Sequence, residues 1–368
     1  MPSHSSTHKS ELVVIGTGLS GLSSALFAAR QGISTSLIGG TSEISFASGL
    51  MDLLSVYPSS EQRLRKEPAK ALSEFRAENP TSPYSLIEVE HLYKSFDQAL
   101  DFLKAHGLPY TGYADQNAAV LTPLGTSKLT FRVPQSMWSG VLALEQKPPC
   151  LLLDFEGLKD FSATQPAFVL RDSWEKLRIA RLPFPGRQGL GEIHPAHLAH
   201  ALEAEENVEY LLKDIKSCLK GEKVVGLPAV LGISKTPSIL DTLKAELSVE
   251  IFEIPTLPVS VPGLRLQNTF EKGLIEHGVN IFTQQQVINV EQKKDKSFLL
   301  KTIGTQQDQS FHAQNIILAS GRFLGGGLQA DRHRIRESIF DLPVYQPASR
   351  EKWHQKKFFD PRAHAVNL

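Results

Sequence analysis

ELVVIGTGLSGLSSALFAARQG, Glu11 to Gly32, is the stretch from which the fold is read. Leu12 to Ile15 form an apolar run short enough for a buried parallel strand, and Gly16, Gly18 and Gly21 follow it without a gap. Leu22, Ala25, Leu26 and Ala29 then recur at helical spacing, and Gly32 ends the helix. Strand, tight turn and helix in that order make a Rossmann phosphate site. The first glycine forms the turn, the second lets backbone N–H groups approach a phosphate, and the third seats the helix against the strand. N–H groups left unpaired at the helix start face the anion, aided by the helix dipole. Thr17, Leu19 and Ser20 lie between these glycines and join them as cofactor-binding candidates.

The usual second half of this fingerprint is missing. An acid about 20 positions on should end the next strand and hold a ribose hydroxyl. Strand two reads Ser34 to Ile38, and Gly39 and Gly40 stand where the acid belongs; the nearest carboxylate, Glu43, lies past the strand end. A cofactor anchored through an adenosine ribose loses a partner here, whereas one without adenosine, such as FMN, loses nothing. The residues alone leave both FMN and FAD open, the first losing no contact and the second losing one. The following stretch, SEISFASGLMDLLSVYP from Ser42, sets small residues around Ser48 and Gly49. It suits backbone passing close to a flat ligand, and equally an ordinary loop into a short helix.

A second glycine-rich turn stands at the far end of the chain. NIILA, Asn315 to Ala319, reads as a buried strand, and it ends in SGRFLGGG, Ser320 to Gly327. A Rossmann sheet interrupted by a long insertion would bring this strand beside the first, so that Gly18 and Gly321 open on one crevice at the strand C-terminal ends. Between the two turns lie an amphipathic helix from Leu86 to His106, a buried strand Cys150 to Phe155, and a triple-proline segment from Ile254 that leads into a helix from Leu264 to Gly278. His194, His197 and His200 are evenly spaced, but Pro195 takes the first helical position and leaves His194 outside as a cap. No metal is expected.

The bulk numbers exclude several classes. Lys plus Arg equals Asp plus Glu at 39 each, so no global field draws the chain to nucleic acid or to an anionic membrane. Two distant cysteines, Cys150 and Cys218, build no disulfide framework, and without a CxxC the chain ligates no iron–sulfur cluster of its own. No apolar run approaches the ~20 residues that span a bilayer, and MPSHSSTHKS lacks the apolar region of a signal peptide. The expectation is a cytoplasmic protein, peripheral at the membrane only through a partner.

FASGLMDLL at Phe46, PYSL at Pro83, TPLGT at Thr122, IPTLPVSVPGLRLQN at Ile254, LASGRFLGGGLQADRHRIRE at Leu318 and SREKWHQKKFFDP at Ser349 complete the pattern begun at Gly16. Over nearly its whole length, in order, the chain resembles the family of B subunits of anaerobic glycerol-3-phosphate dehydrogenase. The resemblance implies an α/β fold: a Rossmann-type flavin-binding domain interrupted by an inserted α+β substrate-side domain. Its expected parts are residues 1–57 and 263–327 for flavin binding, 58–262 for the insertion, and 328–368 returning to the substrate side. It implies a flavoprotein, described for the family as binding FMN, in a complex that oxidises sn-glycerol 3-phosphate to dihydroxyacetone phosphate and passes electrons to quinone. Two partner chains would complete that complex, one catalytic and one carrying iron–sulfur clusters, the chain itself either oxidising substrate or serving as an FMN relay. The family continues past the FFDP phrase into a last glycine-rich strand and helix, which this sequence does not reach. In such an enzyme His194 is the candidate for proton transfer, and Arg265, Arg322 and Lys128 are candidates for the substrate phosphate. Ser320 and Gly321 join Gly16 to Gly21, Ser48 and Gly49 around the cofactor.

Overall fold

The computed structural model describes residues 7–40, 43–184, 191–305, 307–344 and 346. The family phrase beginning at Ser349 lies outside them. The chain forms two compact units, one made of the residues up to Ile44 and those from Phe270 onward, the other of Ser45–Thr269. The seams fall at 44/45 and 269/270, where the sequence suggests 57/58 and 262/263, and the described residues from Leu328 onward belong to the first unit.

In the first unit, β1 (Thr7–Ile15) leads through the glycine turn into α1 (Leu19–Arg30) and on to β2 (Thr35–Ile38). β1 is longer than its apolar run, and only that run, Leu12 to Ile15, is buried. Its polar half is held by the ladder instead, since Thr7 to Ser10 pair with Ser310 to Ala313 of the late strand Gln309–Leu318. The sheet has six strands, in the order Asn280–Phe282, β2, β1, Gln309–Leu318, Phe298–Gly304 and Gln285–Gln292. The first four run parallel and the last two join antiparallel. Val13, Ile15, Ile38, Leu300, Phe311 and Ala313 pack into one core against this sheet, and α1 buries Leu22, Ala25 and Leu26. At about 25 cal/mol per Å² of apolar surface, it is such burial rather than helix propensity that holds α1 in place.

The inserted unit has a parallel sheet of its own, ordered Glu250–Ile254, Val224–Pro228, Cys150–Phe155 and Leu177–Leu182, with small antiparallel ladders beside it. Every residue of Cys150–Phe155 is buried. Leu151 and Leu153 face one core and Cys150 and Leu152 another, which is why CLLLDF shows no alternation. The helix expected from Leu264 starts three residues earlier, spanning Val261–Glu276. Pro262 sits in its first turn, where the missing N–H has no intrahelical partner to lose, so this proline opens the helix rather than preceding it.

Candidate functional site

The glycines of the first turn do three different things. Gly16 has φ +119°, and a Cβ there would sit 2.0 Å from the carbonyl oxygen of Ala319, so only glycine lets the turn cross the end of the neighbouring strand. A Cβ on Gly21 would sit 1.8 Å from the carbonyl oxygen of Gly16, which is the close seating of helix on turn. Gly18 is the opposite case: a Cβ would meet nothing within 4 Å. α1 leaves Gly18 with no side-chain cap and no acid in its first turn. Its first N–H groups and the positive end of its dipole are left to an external anion.

The second turn leaves the adjacent strand at the same end. The Ala319 N–H donates to the carbonyl of Ile15 at 2.8 Å, one step past the Ile15–Leu318 pair. Gly321 has φ +73°, and the chain then folds back so tightly that a Cβ on Gly327 would lie 2.3 Å from the carbonyl oxygen of Gly321. The hairpin Leu328–Ala330 with Ile335–Glu337 ties this turn down, its Ser338 hydroxyl donating to the Gly326 carbonyl at 2.6 Å. Gly16, Thr17 and Gly18 from one turn and Ser320 and Gly321 from the other line a single, partly open cleft. A wider hollow shares Gly40, Gln286, Gly325 and Gly326 with it.

Gly39 has a steric explanation. A Cβ there would lie 2.5 Å from Thr17 Oγ1 and 3.0 Å from Thr17 Cβ, so the end of β2 has no room for any side chain, acidic or not. An acid enters the cleft four residues later, where Glu43 opens the short 3-10 helix Glu43–Phe46 and joins the cleft lining. Its Oε1 is buried without a hydrogen-bond partner among the described residues. Sequence reasoning saw Glu43 only as lying beyond the strand. Gln286, Val287 and Ser338 were not foreseen at all. A register shift between Val287 and Asn289 marks the cleft wall, but a bulge of that kind leaves no sequence signal.

The remaining candidates are scattered. Leu19 and Ser20 sit on the exposed side of the first turn of α1. Ser48 and Gly49 belong to the second unit, where Gly49 (φ +79°) makes room for Pro262, whose Cβ would lie 2.7 Å from an added methyl. Arg265 does not offer its charge to a substrate. It is fully buried in the second unit, with Nη1 and Nη2 on the Glu253 carboxylate at 2.5 and 2.8 Å and Nε on the Gly232 carbonyl at 2.9 Å. Lys128 is paired with Asp52 at 2.7 Å. His194 precedes the helix Pro195–Ala201 as its cap, exposed, with its ring 5.7 Å from that of His197. Arg322 is exposed immediately after the second glycine turn.

A family model described as FAD binding domain matches residues 11–366. The B subunit of the anaerobic glycerol-3-phosphate dehydrogenase of Vibrio vulnificus (strain CMCP6) is 28% identical over 370 residues, covering 96% of this chain and 82% of that protein. The probable B subunit of the corresponding enzyme of Halobacterium salinarum (strain ATCC 29341 / DSM 671 / R1) is 30% identical over 373 residues, covering 97% and 84%. Among solved structures, a 3-ketosteroid delta1-dehydrogenase from Sterolibacterium denitrificans aligns with TM-score 0.38 and 17% identity over 86% of this chain and 48% of that one. The FMN expectation is corrected by the family match, which is to an FAD-binding domain. The acid missing at Gly39, which agrees with FMN, has a steric reason in the packing of Gly39 against Thr17 and so does not argue against an adenosine. The residues fit FAD: a glycine turn for the phosphates, and beside it a carboxylate with an unpaired oxygen.

Proposed function

Since the chain belongs to the FAD binding domain family and, within it, to the family of B subunits of anaerobic glycerol-3-phosphate dehydrogenase, we propose that it is the FAD-carrying subunit of a flavin-dependent glycerol-3-phosphate dehydrogenase. The proposed reaction converts sn-glycerol 3-phosphate to dihydroxyacetone phosphate, with electrons leaving through an iron–sulfur partner toward quinone. One observation carries this reading: two glycine turns separated by some three hundred residues line one cleft. When bound there, FAD supplies a two-electron acceptor for the hydride on the carbinol carbon. The protein's part is to hold the phosphates on the Gly16–Gly18 turn and α1, to bind the substrate phosphate and to take the hydroxyl proton. We assign the substrate phosphate to Arg322, exposed immediately after the second glycine turn, and not to Arg265, which three hydrogen bonds hold inside its own unit.

The enclosed position of Arg265 favours a second reading, in which the chain relays electrons while a partner chain oxidises the substrate. No helix among the described residues is long and apolar enough to cross a membrane, so any attachment there is proposed to run through a partner. Anaerobic mixing of the purified chain with glycerol 3-phosphate separates the readings. Bleaching of the flavin absorption without a partner supports substrate oxidation by this chain; bleaching only on addition of the catalytic partner supports the relay. Bleaching under neither condition, with FAD bound, sinks both.

A further inference from the structure

The acid that a Rossmann site places at the end of its second strand is sterically excluded here, and a different acid reaches the same cleft. Gly39 cannot carry a side chain because of Thr17, whereas Glu43 stands four residues on, at the start of a one-turn helix. Its carboxylate faces the second glycine turn. A Cβ on Gly321 would lie 3.7 and 3.9 Å from its two oxygens, and one on Gly325 would press to 2.9 Å of Oε1, so Gly325 keeps room for the carboxylate. Oε1 is buried and accepts no hydrogen bond among the described residues. A desolvated carboxylate oxygen without a donor is costly, and such an oxygen in a ligand cleft calls for a donor from the ligand.

The chemistry of that donor is narrow. A carboxylate repels phosphate oxygens, which belong at the Gly16–Gly18 turn and the start of α1. Its partner in the cleft is therefore a neutral group with hydroxyl or amino protons next to the phosphates, in the cleft that Glu43 lines together with Ile38, Gly39 and Gly40 at the end of β2. In FAD the group adjoining the phosphates on the nucleoside side is the adenosine ribose, whose vicinal diol can donate to both oxygens of one carboxylate. We propose that Glu43 holds the 2′- and 3′-hydroxyls of the adenosine ribose, replacing the strand-end acid from a position four residues further on. This rests on the reading of the cleft as an FAD site.

The test uses flavin-free protein of the full chain and calorimetric binding of ADP and of 2′,3′-dideoxy-ADP, which keeps the phosphates and adenine but lacks the diol. Wild type should favour ADP by about ten- to hundredfold, the range for a hydrogen bond to a charged group. Glu43→Ala should abolish that preference while leaving the dideoxy affinity near wild type, and Glu43→Gln should keep part of it. FAD titration by fluorescence should weaken in parallel. Should Glu43→Ala fail to fold, Glu43→Gln carries the comparison. If wild type binds FAD and the variants keep the full ADP preference, the role of Glu43 is overturned alone. If wild type binds neither FAD nor ADP, the FAD reading of the cleft is overturned, and this inference with it.

Discussion

Gly16 and Gly18, two positions apart in one turn, ask opposite things of a side chain. Gly16→Ala drives a methyl into the Ala319 carbonyl at a positive φ, and should cost about 3 kcal/mol of stability together with flavin binding. Gly18 has φ −72° and open space, so Gly18→Ala should leave stability within about 0.5 kcal/mol yet weaken FAD, because the methyl stands where the ligand passes. Thermal melts read against flavin fluorescence separate the two; equal effects at both positions would contradict the assignment. Arg265 and Glu253 matter for stability instead. Burial alone would raise the Glu253 carboxyl, but the Arg265 charge and the donors around it outweigh burial and hold it below its ordinary value of 4.5. A carboxyl lowered in the folded state adds stability that is complete above pH 4.5 and is lost as pH falls through its folded value. Arg265→Met, which strands the buried carboxylate, should cost about 3–5 kcal/mol at pH 7, and Glu253→Gln should flatten the acid side of the stability profile. Denaturant titrations from pH 3 to pH 7 would show this, and unchanged profiles would remove the pair from the stability account.

Between elements, the informative contact joins the end of β2 to the first turn. Gly39→Ala should cost about 1–3 kcal/mol, and Thr17→Gly in the same chain should recover a measurable share, since the clash lies between those two residues. Additive effects in the double-mutant cycle would show that Gly39 is kept for another reason. This contact also explains why the residues alone left the flavin open. The strand–turn–helix of Glu11 to Gly32 is legible because hydrophobic period and glycine placement are local properties. Whether position 39 lacks an acid for chemical or for steric reasons depends on a side chain 22 residues earlier, brought against it by the pairing of β1 with β2. The start of Val261–Glu276 is hidden for a related reason. Proline stops a helix from within but is tolerated in its first turn, and only the neighbouring backbone tells which case holds.

For the whole molecule, binding to the folded cleft should raise thermal stability through linkage, by about 2.7 kcal/mol when FAD stands at a hundred times its dissociation constant. FMN at equal concentration should raise it less, lacking the adenosine half; equal stabilisation by the two would place the recognition elsewhere. The pairing of β1 with Gln309–Leu318 is readable from two apolar runs each ending in a glycine turn, but the late run is not the buried strand its apolar residues suggest: none of Asn315 to Leu318 is buried, and Ile317 is exposed. The unit boundaries were less readable, since the seams at 44/45 and 269/270 follow contacts rather than composition, and the second falls inside a helix. By itself the sequence determined the Rossmann core, its interruption, and the meeting of its two glycine turns, all of which rest on short-range pattern. Only the tertiary structure decided that Arg265 is internal, that Gly39 yields to Thr17 and that Glu43 enters the cleft. Each of these is an outcome of which atoms compete for one space, and chain order does not record it.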